Sequence, residues 1–272
     1  NGVVAEGVTQ TDSSVTAVGT ENFARGIASV NRVAAVAGAD VIPVDIGVLG
    51  EIKEPGIRNC RIANGTKNMR KEPAMSHEQV LEAIHTGITL ASELKDAGYD
   101  LLAVGEMGIG NTTTSSAVAS VLLQKDPELV TGAGAGLDSA GLKRKTEAIR
   151  RGIGLHHPDP MDGMEVLQKV GGFDLAAMAG AFLGGAIYHV PVVIGGVIAA
   201  AAAAAAGRIA PAATDYMLAA HVSAEPASIW LLDLIGVTPA IQAGLRLGEG
   251  TGALALFPLL DMALSIYRDM DT

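Results

Sequence analysis

Basic charge, cysteine and aromatic rings are all scarce in this 272-residue chain. Lysine and arginine total 19 against 29 acidic residues, a formal net charge of −10. A nucleic-acid footprint needs a basic face that displaces counterions, so this balance excludes that class of partner. A local cluster such as Lys143-Arg144-Lys145 still leaves room for a small phosphate. The single cysteine, Cys60, excludes an intramolecular disulfide and fits a reducing cytoplasm. Aromatic residues make up 3% of the chain, whereas glycines number 34. The core must therefore bring backbones close together over small side chains, and stacking on aromatic platforms is not the expected binding mode.

The opening Asn1-Gly2-Val3-Val4-Ala5-Glu6-Gly7 has neither the basic start nor the apolar run of a secretory signal. Its Val3-Val4-Ala5 resembles the end of a buried strand entered from upstream, so further residues before Asn1 are expected. Between Asp174 and Arg208 the chain carries no charged residue, a stretch long enough to raise a bilayer span. His189, Pro191 and the pairs Gly184-Gly185 and Gly195-Gly196 interrupt it, and alanine supplies most of its apolarity. It reads as a buried helix–strand–helix, with no membrane span.

Short β-branched runs followed by glycine-rich turns and helical patterns recur, as in βα units. Strands are predicted over 41–46, 101–104, 190–194 and 217–221. The best helix covers 78–97: Ser76 and Gln79 form a capping box, Val80, Ile84, Ile88, Ala91 and Leu94 share a face, and Gly98 ends it. Further helices are predicted over 21–37, 113–123, 137–153, 175–187, 197–206 and 253–268. These imply an α/β fold with a mostly parallel sheet flanked by helices, whose ligands sit beyond the carboxyl ends of the strands. The loop-like segment 50–76 is long, as functional loops often are, and is expected to border the site.

Three glycine-rich turns carry the chemistry. In Leu101-Leu102-Ala103-Val104-Gly105-Glu106-Met107-Gly108-Ile109-Gly110-Asn111-Thr112-Thr113-Thr114 a buried strand runs into glycines and then a hydroxyl-rich helix start. Free N–H groups there suit an anion, while the lysine of an ATP-binding P-loop is lacking; the plain alternative is a tight, capped turn. In Thr131-Gly132-Ala133-Gly134-Ala135-Gly136 the spacing is wrong for a dinucleotide fingerprint. A phosphate-facing turn at Gly132 and Gly134, with Lys145 reaching back from the next helix, competes with a solvated basic face. In Arg246-Leu247-Gly248-Glu249-Gly250-Thr251-Gly252 a carboxylate between glycines suits a planar ligand lying on the backbone at Leu247 and Gly248. Glu249 is either a general base with a raised pKa or a helix-start charge. His221-Val222-Ser223-Ala224-Glu225 lacks a nucleophile elbow, so a hydrolase reading is weak. His156-His157-Pro158-Asp159 reads as a loop rather than a metal site, and Cys60 as structural.

Taken together, Gly2-Val3-Val4-Ala5-Glu6-Gly7-Val8, Gly65-Thr66-Lys67-Asn68-Met69, the Gly105–Thr113 turn, Gly172-Phe173-Asp174-Leu175-Ala176-Ala177-Met178-Ala179-Gly180, His221-Val222-Ser223-Ala224-Glu225-Pro226 and Leu247-Gly248-Glu249-Gly250-Thr251-Gly252 resemble the nicotinate-nucleotide–dimethylbenzimidazole phosphoribosyltransferases, in family order. The resemblance implies a Rossmann-like large α/β domain over 1–272, with part of a small helical domain contributed by the chain ends and its upstream part missing. It implies a homodimer, Glu249 as catalytic base, Glu106 near the reacting base, and Gly108, Asn111, Thr112, Lys145 and Ser223 on the phosphoribosyl side. Two positions depart from the family pattern: Gly195 stands where an aspartate is usual, and Ala133 where an arginine is usual.

The implied reaction moves the phosphoribosyl group of nicotinate mononucleotide to an aromatic azole base, 5,6-dimethylbenzimidazole. The leaving pyridinium nitrogen is already positive, so neither metal nor cofactor is expected, and one base suffices. The alternative expectation is a catalytically weak paralogue, or a nucleotide-binding partner subunit of such an enzyme.

Overall fold

The computed structural model describes residues 1–134 and 136–270. Its centre is a parallel sheet of β3 (Leu102–Ala103), β4 (Val192–Ile194) and β5 (Met217–Ala219), in that spatial order. Leu102 pairs with Val192, and Val193 with Leu218. Beyond β5 the chain returns at Ala240 and Ile241, whose N–H groups donate to Ala219 O and Ala220 O at 3.2 and 2.9 Å. All three residues of β4 are buried, as expected for a strand covered on both faces.

A separate parallel pair joins β1 (Val44–Asp45) to β2 (Arg58–Asn59). The strand predicted over 41–46 is thus much shorter, because Pro43 has no N–H to give a ladder. The long 50–76 segment is mostly irregular around β2. Asp45 pins the turn after β1: its Oδ1 accepts from Val48 N at 2.8 Å, and Arg61 Nε donates to its Oδ2 at 2.9 Å.

Parallel strands need crossovers, and here helices supply them. Between β3 and β4 run α4 (Asn111–Leu123), α5 (Pro127–Val130), α6 (Ser139–His156), α7 (Gly163–Val170) and α8 (Phe173–Tyr188). Between β4 and β5 run α9 (Val197–Ile209) and a short 3-10 helix, Pro211–Tyr216. Ala199 to Ala206 of α9 are all buried, so this low-complexity run is the central core helix. Small side chains let α4, α7, α8 and α10 (Ser228–Leu234) approach it closely.

The predicted capping box opens α3 (His77–Asp96): Ser76 N donates to Gln79 Oε1 at 3.0 Å, and Gln79 N to Ser76 Oγ at 3.2 Å. This helix packs along α8 with backbones nearly touching. A Cβ on Gly180 would lie 2.0 Å from Ile84 O, and one on Gly87 2.0 Å from Ala177 O.

Several expectations need correction. The helix predicted over 21–37 is two, α1 (Ser14–Ala24) and α2 (Ser29–Ala37), parted where Gly26 adopts φ +72°. The helix over 253–268 divides into α11 (Thr251–Leu254) and α12 (Phe257–Asp269), with Pro258 in the first turn of the second. Residues Gly2–Glu6 form a 3-10 helix rather than a strand end, and His156 closes α6 instead of lying in a loop. The sequence reading missed α5, α7 and α10. Each is eight residues or fewer, too short for a clear periodic signal. Among the described residues no helix is long and apolar enough to cross a membrane.

Candidate active site

Two of the glycine-rich turns meet backbone to backbone beyond the end of β3. A Cβ on Gly105 would lie 2.4 Å from Glu249 O, so only glycine permits this approach. Gly248, Glu249 and Gly250 have φ of +80°, +61° and +86°. A left-handed glutamate costs about 1–2 kcal/mol, and such strain is concentrated at functional sites. The strained turn aims its carboxylate across the cavity: Glu249 Oε2 accepts from Val30 N at 3.1 Å. The helix-start charge anticipated for Glu249 therefore exists, but on α2 rather than on the helix it precedes.

Glu106 has the opposite surroundings. Asn111 Nδ2, at the first position of α4, donates to Glu106 Oε2 and, at 2.8 Å, to Asp174 Oδ2 in the first turn of α8. Burial, assisted by the charges of Asp174 and Glu249, pushes the Glu106 carboxyl up to about 8, against the Asn111 hydrogen bond. A carboxyl raised that far keeps its proton at neutral pH and can donate a hydrogen bond. Paired carboxyl groups with divergent environments are how acid and base roles are divided.

These groups face a cavity of ≈ 480 Å³. Its polar end holds Glu106, Gly108, Asp174 and Glu249. Its apolar walls include Phe23 and Val30 on the α1–α2 side, Leu90 of α3, Met178 of α8 and Phe257 of α12. Gly65 and Thr66 also line it, so the 50–76 segment does border the site. The shape suits a flat, apolar ring with one polar edge.

A second cluster lies one residue further along α4. Lys145 is fully buried while Lys143 and Arg144 are exposed, which rejects the solvated-face reading for this one lysine. Its Nζ donates to Thr112 Oγ1 at 3.0 Å and to Gly132 O at 2.9 Å. Burial pulls the ammonium down to about 8, against the attraction of Glu225. Gly134, at φ +56°, leaves a Cβ position 2.8 Å from Thr112 Oγ1. Ala135, inside the same predicted turn, lies outside the described residues. The N–H groups of Gly108 and Thr112 have no partner among the described residues. Neighbouring α4 positions thus serve both clusters, Asn111 the carboxyl groups and Thr112 the ammonium.

The remaining residues divide. Ser223 is buried, with Oγ accepting from Glu225 N at 3.4 Å, and the Glu225 carboxylate packs on Gly132, so this turn reaches the lysine cluster. Leu247 does not join the site through its side chain, which is 71% exposed. Ala133 is exposed. A Cβ on Gly195 would lie 3.0 Å from Ala253 Cβ, too tight for an aspartate without movement of α11. Burial pushes the Cys60 thiol up, away from reactivity. Asp174, which the sequence reading names within the Gly172–Gly180 motif without a role, also lines the cavity.

Comparison with known proteins agrees across the chain. A family model described as a phosphoribosyltransferase matches residues 1–272. The nicotinate-nucleotide–dimethylbenzimidazole phosphoribosyltransferase of Ruminiclostridium cellulolyticum is 46% identical over 272 residues, all of this chain and 77% of that protein. The protein of the same name from Chloroflexus aggregans is 44% identical over 273 residues, all of this chain and 77% of its own length. The crystal structure of CobT from Thermus thermophilus superposes with a TM-score of 0.94 at 40% identity, covering 98% of this chain and 80% of that one.

Proposed function

The chain belongs to the nicotinate-nucleotide–dimethylbenzimidazole phosphoribosyltransferase family, and from that premise we propose how its residues perform the transfer. The reaction moves the phosphoribosyl group of nicotinate mononucleotide to 5,6-dimethylbenzimidazole, releasing nicotinate and forming α-ribazole 5′-phosphate for the lower ligand of cobalamin. The observation that carries the assignment of roles is the contrast between two carboxyl groups, Glu249 accepting from the start of α2 and Glu106 buried beside the Asn111 amide that also holds Asp174.

The azole lies in the apolar cavity with its nitrogen edge toward Glu249. One ring nitrogen attacks the anomeric carbon from the face opposite nicotinate, whose bond to that carbon breaks as its pyridinium nitrogen takes the electron pair. Formation of the new bond acidifies the second ring nitrogen, and Glu249 accepts that proton. Glu106 donates a hydrogen bond and, being neutral, does not compete for it. The ammonium of Lys145, the hydroxyl of Thr112 and the N–H groups of Gly108, Gly132 and Gly134 hold the phosphoribosyl group. Asn111 orients Glu106, Ser223 supports the Glu225 turn, and Leu247 and Gly248 contribute backbone under the ring.

The test is nicotinate release from the mononucleotide with and without the benzimidazole. Release that requires the azole and matches ribazole phosphate mole for mole is the expected result. Release by water alone, at an equal rate, rejects the transfer. The exposed Ala133 and the crowded Gly195 favour a second reading, a weak paralogue. That reading requires release no faster than from a Glu249→Gln chain. A cytoplasmic setting and a homodimer are parts of the same proposal.

A further inference from the structure

Asp174 is held more rigidly than a helix-start charge needs to be. Its Oδ1 lies 2.5 Å from where a Cβ on Gly172 would stand, and its Oδ2 3.3 Å from the corresponding position on Gly108. Two glycines therefore make the slot that the carboxylate fills. From that slot Oδ2 accepts one hydrogen of the Asn111 amide while Glu106 Oε2 accepts the other. This fixes which Glu106 oxygen is engaged. The second, Oε1, is 3.6 Å from a Cβ position on Gly248, so it faces the turn that carries Glu249.

We propose that Asp174 is a positioning residue for the transfer: through the shared Asn111 amide it turns Glu106 Oε1 toward the Glu249 turn and keeps that oxygen a hydrogen-bond donor. The inference rests on the transferase reading above and adds a residue to it. Around Glu106 the facing groups are Asn111 from α4, Asp174 from α8 and Glu249 from the 248–250 turn. The Asn1 backbone nitrogen donates to Ile109 O at 3.2 Å. No lysine, arginine or histidine lines the cavity among the described residues, and its other titratable pair, Asp40 with Tyr99, is hydrogen-bonded to itself. Burial is the main reason Glu106 keeps its proton, the charges of Asp174 and Glu249 add to it, and Asp174 is the neighbour that shares the amide. Were Glu106 ionised, it would repel Glu249 and compete for the azole proton.

The sign follows from the charge. Removing the negative neighbour eases ionisation, so Glu106 should lose its proton at lower pH in Asp174→Asn. The experiment titrates the carboxyl carbons of the full chain, labelled at glutamate, by NMR, with Glu106 assigned from its loss in Glu106→Gln. The expected result is a fall in the Glu106 midpoint of roughly one pH unit. Alongside it, kcat of Asp174→Asn should fall increasingly as pH rises toward about 8, with the KM for nucleotide unmoved. In a Glu106→Gln background the same substitution should add no pH dependence.

A merely structural role at the start of α8 would lower thermal stability and leave the midpoint in place. Should Asp174→Asn not fold, Asp174→Ser keeps a polar oxygen in the first turn of α8 without the charge and serves the same titration. An unmoved midpoint in a folded variant overturns the inference while leaving Glu249 as base. A fallen midpoint in a chain that releases no nicotinate supports the link between Asp174 and Glu106, and counts against the transferase reading alone.

Discussion

Replacing Glu249 with glutamine keeps an oxygen for the Val30 N–H at the start of α2, so the strained turn should survive the change. What disappears is the group proposed to take the azole proton. Turnover should fall by about 10²–10⁴-fold, the usual loss for a general base. Nucleotide affinity should hold, because the groups proposed to hold the phosphate gather at Lys145, Thr112 and the 131–134 turn, away from Glu249. Turnover within about threefold of the unmodified chain, well short of that range, would instead move the base role to Glu106. Lys145 gives the complementary result. Lys145→Met should weaken nucleotide binding while sparing kcat in the saturated enzyme. In the unmodified chain, affinity measured by calorimetry should fall as pH rises through about 8, where the buried ammonium gives up its charge. Affinity that is flat over that range would remove Lys145 from the phosphate site.

The element that sets the cavity's width is the α3–α8 pair, and glycine decides how close those helices come. In Gly180→Ala the new methyl group would meet the carbonyl of Ile84, which is backbone and cannot rotate away. Overpacking of this kind costs about 1–3 kcal/mol, readable as an earlier urea midpoint. Because Leu90 and Met178 line the cavity from these helices, parting them should also raise the KM for the azole. An unchanged midpoint would mean that the helices are not in contact as described. Much of this level was legible in the sequence. The caps of α3, the alanine run of α9 and the strand-to-glycine step at Gly105 are all local signals. The break between α1 and α2 was not, since one glycine is tolerated inside a helical pattern. Nor was Val30 as the partner of Glu249, since nothing local in the sequence links α2 to the 248–250 turn. Asp174 was visible as a residue but not as a neighbour of Glu106, a fact that only the meeting of the starts of α4 and α8 at Asn111 creates.

On the scale of the whole molecule, α12 is the outlying feature. None of its residues is buried, yet Leu259, Met262, Leu264, Ile266 and Tyr267 are between 41% and 87% exposed. A helix of 13 residues is marginal in water unless an apolar face is packed, so this one should have a partner. Leu259, Met262 and Ile266 recur at helical spacing and form a stripe suited to the same stripe on a second copy, as a two-fold interface requires. The expected species is therefore a dimer, seen by sedimentation in plain buffer at twice the chain mass. Met262→Glu with Ile266→Glu should shift it to monomer without loss of the α/β core, which lies elsewhere. The site should register the change, because Phe257 begins α12 and also lines the cavity. A loosened α12 leaves that wall unsupported, so the KM for the azole should rise while nucleotide affinity, proposed to be set at Lys145, stays constant. A monodisperse monomer in the unmodified chain would reject the dimer. A monomeric double variant with unaltered azole KM would show that the cavity is complete within one subunit.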